Sequence, residues 1–363
     1  MAGAARLEHE AKRRRTPTSI DVARKAGVSQ ATVSLVLSGA ARKLRLSPET
    51  VKRVQAAALS LGYTPNHAAR SLRQRRTKIV SLVLSSLENP YFGEVVSGAQ
   101  EAAQARGYAI TVVVARGEEA VLGQLQQLKS GVADGLVMAG RTRRIVEALE
   151  DLARQGIPTA VLKYHSAELR IPSVSIDLDS GGFAAADHLI RLGHRRIAHI
   201  ADRAPFSERA VDRTFGYKRA LRQAGIRLEE SWIAAADNSF LGGYEAMQSL
   251  LDTGRERPTA VFAFNDLMAV GALRAIRERG LSVPGDVAVV GFDGIDLGQY
   301  TNPTLTTIDH PRHELGRLAV EMVLDRLEGR EPDLTEHVLP GRLVVRESCG
   351  AMLPAQSKKP IQS

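Results

Sequence analysis

The sequence predicts a small all-α unit followed by a larger, two-lobed α/β unit with parallel sheets. Three observations carry that prediction. Seventeen Lys and Arg but only four acids (Glu8, Glu10, Asp21 and Glu49) fall in the first 78 residues, whereas the remaining chain carries 32 basic and 36 acidic side chains. Three short segments of this basic head are punctuated by helix-capping residues. From Lys78 onward, short apolar runs alternate with amphipathic helical periodicity, the pattern of βαβ units. Such charge asymmetry suits a nucleic-acid module joined to a part with a separate task.

The chain of 363 residues, 44% hydrophobic and 25% charged, is long enough to bury a substantial core and is composed like an ordinary globular protein. One cysteine, Cys349, excludes an internal disulfide framework and cysteine-based zinc ligation. No apolar run approaches the roughly 20 residues of a membrane helix, and no basic segment leads into an apolar signal region, so a cytoplasmic protein is expected. Catalysis is not expected, because no Walker-type phosphate loop, GxGxxG or GxSxG elbow occurs. His310 and His313 lie close but lack acidic or cysteine partners at metal-ligand spacing, so neither metal nor cofactor is expected.

In the head, Thr18 can N-cap a first helix with Asp21 at the capping-box position and Ile20, Val22, Ala23 and Ala26 available for packing. Gly27 ends it. Ser29 can cap a second helix from Gln30 to about Leu37, with Val33, Val36 and Leu37 facing inward. Ser47, Pro48 and Glu49 supply a cap, an N1 proline and an acidic first turn for a third helix, with Val51, Val54, Ala58 and Leu61 on one face before Gly62. A helix, a glycine-containing turn and a short helix opening on small polar residues form the helix-turn-helix that sets a recognition helix in the major groove of DNA. Its first residues, Ser29, Gln30 and Ala31, would then meet base edges; Gln30 can bond adenine bidentately, and Thr32 and Ser34 can reach phosphates or bases.

In the larger part, Ile79 to Leu84, Ala109 to Val114, Gly135 to Met138, Thr159 to Leu162, Ile197 to Ile200, Ala260 to Phe264 and Val287 to Val290 read as buried strands. Gly93 to Arg106 and Leu267 to Gly280 read as helices. About 270 residues favour two α/β lobes over one oversized sheet, with a ligand at the carboxyl ends of the strands, in the cleft between them.

The chain resembles the lactose and galactose repressor family of bacterial transcription regulators over roughly residues 18 to 350. In the head the resemblance rests on Ile20-Asp21-Val22-Ala23, Ala26-Gly27-Val28-Ser29, Thr32-Val33-Ser34, Ser47-Pro48-Glu49-Thr50 and Leu61-Gly62-Tyr63-Thr64-Pro65-Asn66. Beyond it the matches are Asn89-Pro90-Tyr91-Phe92, Ala133-Asp134-Gly135, the run from His188 to Arg196, Asn265-Asp266, Gly291-Phe292-Asp293 and Leu305-Thr306-Thr307-Ile308. Two departures stand out: Leu35 replaces the usual basic or polar residue of the recognition helix, and the loop from Ala40 to Arg45 is enlarged.

The resemblance implies a core similar to periplasmic sugar-binding proteins, with the chain crossing between lobes near Asp177, Ile308 and Pro340. It also implies a hinge helix over Asn66 to Arg73, capped by Asn66 and carrying Ala69, Arg70 and Leu72. Two such helices would pair on DNA, each wedging its Leu72 into the minor groove. Thr18 and the recognition-helix residues through Leu35 complete the expected DNA face. In the cleft, Arg213 and Asp293 match the family's ligand-clamping arginine and carboxylate, a pair able to hold neighbouring hydroxyls of a sugar. Asn265 is expected as a third polar contact, and Tyr91, Phe92 and Phe240 as faces for the apolar side of a ring. Lys163-Tyr164 stands where the family usually carries Asp-Arg, and Leu178 where it carries Asn; a cation at Lys163 would favour an anionic ligand.

The expected organisation is a flexible basic leader (1–17), the helix-turn-helix domain (18–64), hinge and linker (65–77), a two-lobed effector-binding and dimerisation domain (78–350) and a flexible tail (351–363). The expected function is a homodimeric repressor on a pseudo-palindromic operator, working on the nucleoid in the cytoplasm, with a small carbohydrate effector. The tail's lack of an apolar heptad favours a dimer over a coiled-coil tetramer. The alternative, a purely architectural DNA-binding protein without allostery, would need no cleft.

Overall fold

A computed structural model describes residues 17–37, 46–64, 76–139, 143–162, 171–203, 213–252, 256–330 and 336–352. The chain forms two compact units, divided between Thr77 and Lys78. The hinge-helix positions Asn66, Ala69, Arg70 and Leu72, together with Lys163, lie outside the described residues.

The first unit holds α1 (Ser19–Ala26), α2 (Gln30–Leu37) and α3 (Pro48–Leu61). Thr18 and Asp21 form a reciprocal capping box: the Asp21 carboxylate accepts from the Thr18 backbone N–H at 2.9 Å, and Thr18 Oγ1 accepts from the Asp21 N–H at 3.3 Å. Gly27 ends α1 at φ +63°, where a Cβ would be strained, and Val28 N–H returns to the Ala23 carbonyl at 3.1 Å. Ser29 Oγ accepts from the Thr32 N–H at 3.1 Å, starting α2 immediately. The three helices close on Val22, Ala23, Ala26, Val33, Val36, Val54, Ala57 and Ala58. Ile20, expected to pack, is 52% exposed, because among the described residues α1 packs chiefly on α2 and α3 and its outer face turns away from both.

The second unit contains two six-stranded sheets. The first runs β11-β5-β4-β3-β1-β2, with β1 (Ile79–Leu84), β2 (Ala109–Val114), β3 (Gly135–Ala139), β4 (Thr159–Leu162), β5 (Ser173–Ile176) and β11 (Glu336–Leu339). The second runs β12-β10-β9-β8-β6-β7, with β6 (Ile197–Asp202), β7 (Ile233–Ala236), β8 (Ala260–Ala263), β9 (Ala288–Asp293), β10 (Thr306–Asp309) and β12 (Arg342–Val344). Strand pairs are parallel except β10 with β12, so the expectation of parallel sheets is corrected at one edge. The reason lies in the last crossing: β11 runs parallel to β5 and ends at the carboxyl edge of the first sheet, so through Pro340 and Gly341 the chain enters the second sheet from its carboxyl edge and β12 runs back against β10.

Helices cover both faces of each sheet. On the first, α4 (Tyr91–Ala105) and α11 (Arg312–Leu327) pack on one side, and α5 (Glu118–Leu128) and α6 (Arg143–Arg154) on the other. On the second, α7 (Leu178–Arg191) and α8 (Arg213–Gln223) oppose α9 (Phe240–Leu251) and α10 (Asp266–Glu278). The chain passes between sheets at Asp177, between Asp309 and Arg312, and at Pro340. Central strands are apolar throughout because both faces are covered. The reading of Ala109 to Val114 as buried is corrected: β2 is an edge strand with Val114 43% exposed, a position fixed by sheet order and not by hydropathy. Strands β5, β7, β10, β11 and β12 were not foreseen, each being four residues or fewer. Among the described residues no helix is long and apolar enough to cross a membrane.

Close helix packing depends on missing side chains. A Cβ on Gly98 of α4 would lie 1.9 Å from the His313 carbonyl oxygen, and one on Gly316 of α11 would lie 1.9 Å from that of Val95. Backbone cannot yield as a side-chain tip can, so Gly98→Ala is expected to cost about 1–3 kcal/mol by overpacking. Gly123→Ala, in α5 with nothing within 4 Å of the new methyl, is expected to gain about 0.5–1 kcal/mol of helix propensity. Urea unfolding of both variants measures the contrast; equal effects would contradict it.

Candidate functional site

A cavity of about 340 Å³ opens between the carboxyl ends of the two sheets of the second unit. Its wall on the first sheet includes Ser85 after β1, Arg116 after β2 and Ala139 at the end of β3, with Asn89 and Phe92 at the start of α4. The opposite wall includes Asn238 after β7, Phe264 after β8 and Asp293 at the end of β9, with Arg213 opening α8 and Phe240 opening α9. The size and the mix of three aromatic rings with ten polar or charged side chains suit a small polar ligand.

Arg213 and Asp293 lie at the centre, their side chains 4% and 2% exposed, with Nη2 donating to Oδ1 at 3.4 Å. The guanidinium is sandwiched between Phe264 and Phe292, its carbon 4.1 Å from each ring centroid. Flat aromatic faces replace water around a flat delocalised cation, something an ammonium group would tolerate less well. Nη1 donates to the Phe264 carbonyl. Nε is buried with no hydrogen-bond partner among the described residues. A buried unmade donor costs about 1–3 kcal/mol, which a ligand oxygen would recover.

Asp293 is held from several directions. Its carboxylate also accepts from Asn89 Nδ2 at 3.2 Å, a bond across the cavity between residues 204 apart in sequence. Its carbonyl accepts from Arg312, which also reaches Asp309 at 3.1 Å. Its φ of +108° is rare for a residue with a side chain, and such strain persists only where the surroundings impose it. Asn265, 1% exposed, caps α10 by accepting from the Met268 N–H at 3.0 Å and donates to Asn238. At the rim, Arg116 pairs with Glu88.

The structure therefore brings Phe92, Arg213, Phe240, Asn265 and Asp293 together in one cavity. Tyr91 is a correction. It is fully buried, set edge-on to Phe92 at 5.2 Å and 5.3 Å from the His310 ring, so it supports Phe92 from behind and offers no face to the cavity. Being the first residue of α4, it points along the helix into the core, whereas Phe92 turns outward. Burial pushes the Tyr91 hydroxyl pKa far up and the nearby Asp293 charge adds to it. Phe264, Asn89 and Asn238 were not singled out as site residues. Asn89 stood in a quoted motif, but its role depends on a partner that only folding supplies.

In the first unit, Ser29, Gln30 and Ala31 lie exposed at the start of α2, with Thr32, Ser34 and Leu35 half-buried. Gln30 Nε2 donates to Ser19 Oγ at 2.9 Å, which leaves one amide hydrogen and its oxygen for a base edge. The Thr18 hydroxyl is engaged by Asp21 at 2.7 Å, so its place here is the cap of α1. Arg24, Lys25, Lys52 and Arg53 are exposed.

Removing one member of the buried pair leaves the other charged and uncompensated. Arg213→Met is expected to destabilise the second unit by about 3–5 kcal/mol, and adding Asp293→Asn to restore much of the loss. Denaturant unfolding of the double-mutant cycle checks this; a single-variant loss below about 1 kcal/mol would mean that the pair is hydrated.

Comparison with known proteins fits this arrangement. Residues 20–66 match the bacterial regulatory proteins, lacI family, and residues 186–349 match the periplasmic binding protein-like domain. The ribose operon repressor of Haemophilus influenzae is 38% identical over 91% of this chain and 98% of its own length. The HTH-type transcriptional repressor CytR of Escherichia coli K12 is 34% identical over 94% of this chain and 99% of its own. Among solved structures, the lac repressor dimer bound to operator and the anti-inducer ONPF superposes with a TM-score of 0.80 at 29% identity, covering 92% of this chain and 99% of that one. A ribose-bound lacI-family regulator from Enterococcus faecium gives 0.66 at 30% identity, covering 74% and 98%. With a capped helix-turn-helix at one end and a polar, aromatic-walled cavity between two sheets at the other, the chain belongs to the lacI family, DNA-binding transcriptional repressors and not enzymes.

Proposed function

We propose that the protein is a homodimeric repressor of a pseudo-palindromic operator whose affinity for DNA is set by a small neutral sugar in the cavity. The observation that carries the ligand assignment is Arg213, buried between two phenylalanines, its Nε without a hydrogen-bond partner among the described residues, beside a strained carboxylate. A donor fork and an acceptor side by side match the vicinal hydroxyls of a sugar, and Phe92, Phe240 and Phe264 match its apolar faces. Formal charges in the wall pair off, Arg213 with Asp293 and Arg116 with Glu88, which favours a neutral ligand over the anion that Lys163 suggested. Likeness to a ribose operon repressor and to a ribose-bound regulator makes D-ribose the first sugar to try.

On the DNA side, Ser29, Gln30, Ala31 and Thr32 would read bases or phosphates, with Ser34 and Leu35 further along α2. Asn66, Ala69, Arg70 and Leu72 would contribute from the hinge, and two heads would meet two half-sites. The work takes place in the cytoplasm, on the nucleoid. A sugar that binds one disposition of the two halves better than another shifts their populations and, through linkage, operator affinity by the same factor that DNA imposes on the sugar. A purely architectural role would leave the cavity without purpose.

Genomic fragments selected by the purified protein at physiological salt should share one pseudo-palindrome. Affinity for it should fall by about 0.9 log units per log unit of salt for each phosphate neutralised. Neutral sugars, D-ribose first, should change that affinity by about 5-fold or more, whereas sugar phosphates should not. Phe240→Ala should weaken the sugar response about tenfold and leave operator binding alone. A response to sugar phosphates alone would overturn the ligand assignment.

A further inference from the structure

Asp266 stands beside the proposed ligand site without lining it. It follows the cap residue Asn265 at the start of α10 and is fully buried. Its Oδ2 accepts from the Ile295 N–H at 2.8 Å, and Thr307 Oγ1 donates to Oδ1 at 2.7 Å. Thr307 Oγ1 in turn accepts from the Gly294 N–H at 3.3 Å. Asp293 and Gly294 both have positive φ, +108° and +69°. One carboxyl on α10 therefore fastens, directly and through β10, both amides that follow the strained residue. Room is made for it on the neighbouring strand: a Cβ on Gly291 would lie 2.2 Å from Asp266 Oδ1.

We propose that Asp266 is a positioning residue for Asp293, pinning the Asp293–Ile295 turn to α10 and β10 and so fixing where the Asp293 carboxylate meets a ligand. Asp293 cannot hold this backbone by itself, since its conformation is disfavoured for any residue with a Cβ and needs external restraint. The restraint must also come from a group that does not repel Asp293, and a neutral acid satisfies that condition. Burial pushes the Asp266 pKa up to about 8, with the Asp293 charge adding to the rise and Thr307, Ile295 and Arg346 opposing it. Charged groups around it are thus Asp293 on β9, itself paired with Arg213 of α8, and Arg346 in the segment after β12; β10 contributes the neutral Thr307.

The inference rests on the reading of Asp293 as a ligand contact only for its consequence; the pinning itself is testable without any ligand. Hydrogen exchange of the segment 291–297 would be followed in the full-length protein and in Asp266→Ala and Asp266→Asn. Asparagine keeps an acceptor for Ile295 and reverses the second bond, its amide donating to Thr307 Oγ1 while the hydroxyl proton turns to the Ile308 carbonyl, 3.5 Å away. Expected is about tenfold faster exchange in Asp266→Ala, with near-parental protection in Asp266→Asn. Opening that exposes the acid to water returns its pKa from about 8 towards 3.8, so parental protection relative to Asp266→Asn should fall as pH rises between those values and level off above about 8. Unchanged exchange of the turn in Asp266→Ala, or equal loss in both variants, would overturn the proposal. D-ribose affinity is a separate readout: normal turn behaviour with no response to any sugar would instead sink the ligand assignment.

Discussion

The α/β unit is organised around a buried pair of opposite charges. Removing Arg213 and Asp293 from water costs several kcal/mol per ion, and their mutual attraction does not by itself offset that. The surrounding structure has to supply the rest: two aromatic faces for the guanidinium, a carbonyl for one of its nitrogens, and donors from Asn89 and Arg213 for the carboxylate. These groups come from both halves of the unit, Asn89 from the first and the rest from the second, so the halves are tied where the chemistry is. A site that is satisfied on most sides and open on one is suited to recognition, because Arg213 Nε, without a partner among the described residues, favours whichever molecule brings an acceptor.

The helical head meets a different constraint. Among the described residues its core is eight buried side chains, four Val and four Ala, too few to dominate its stability. Order at its helix ends comes from hydrogen bonds between near neighbours: the reciprocal box of Thr18 and Asp21, the Ser29 and Ser47 caps, and the left-handed glycines at positions 27 and 62. The same economy leaves the start of α2 polar and exposed, which is what a surface that reads DNA requires.

Those contrasting constraints explain what was legible. Caps, turn glycines and charge asymmetry act within four residues or by simple accumulation, so the head could be read almost residue by residue. In the α/β unit the long apolar strands were visible, and Arg213 and Asp293 were located through the family motifs around them. Tyr91 and Phe92 could not be told apart, because both are aromatic and adjacent and only the start angle of α4 decides which one faces the cavity. Asn89 and Asp266 were quoted within motifs but not assigned work, since each acts on a residue far away in sequence.

By itself, then, the sequence determined the longer elements and their order, the basic head with its turn, the alternation that makes parallel sheets, and the identities of the central charged pair. Only tertiary structure decided which strands lie at edges, which aromatic rings wall the cavity, and how Asp293 is held against its own backbone preference. The physical reason is range. Capping and periodicity are properties of neighbouring residues, whereas burial and the protonation of an acid such as Asp266 depend on groups brought together from β9, β10 and α10.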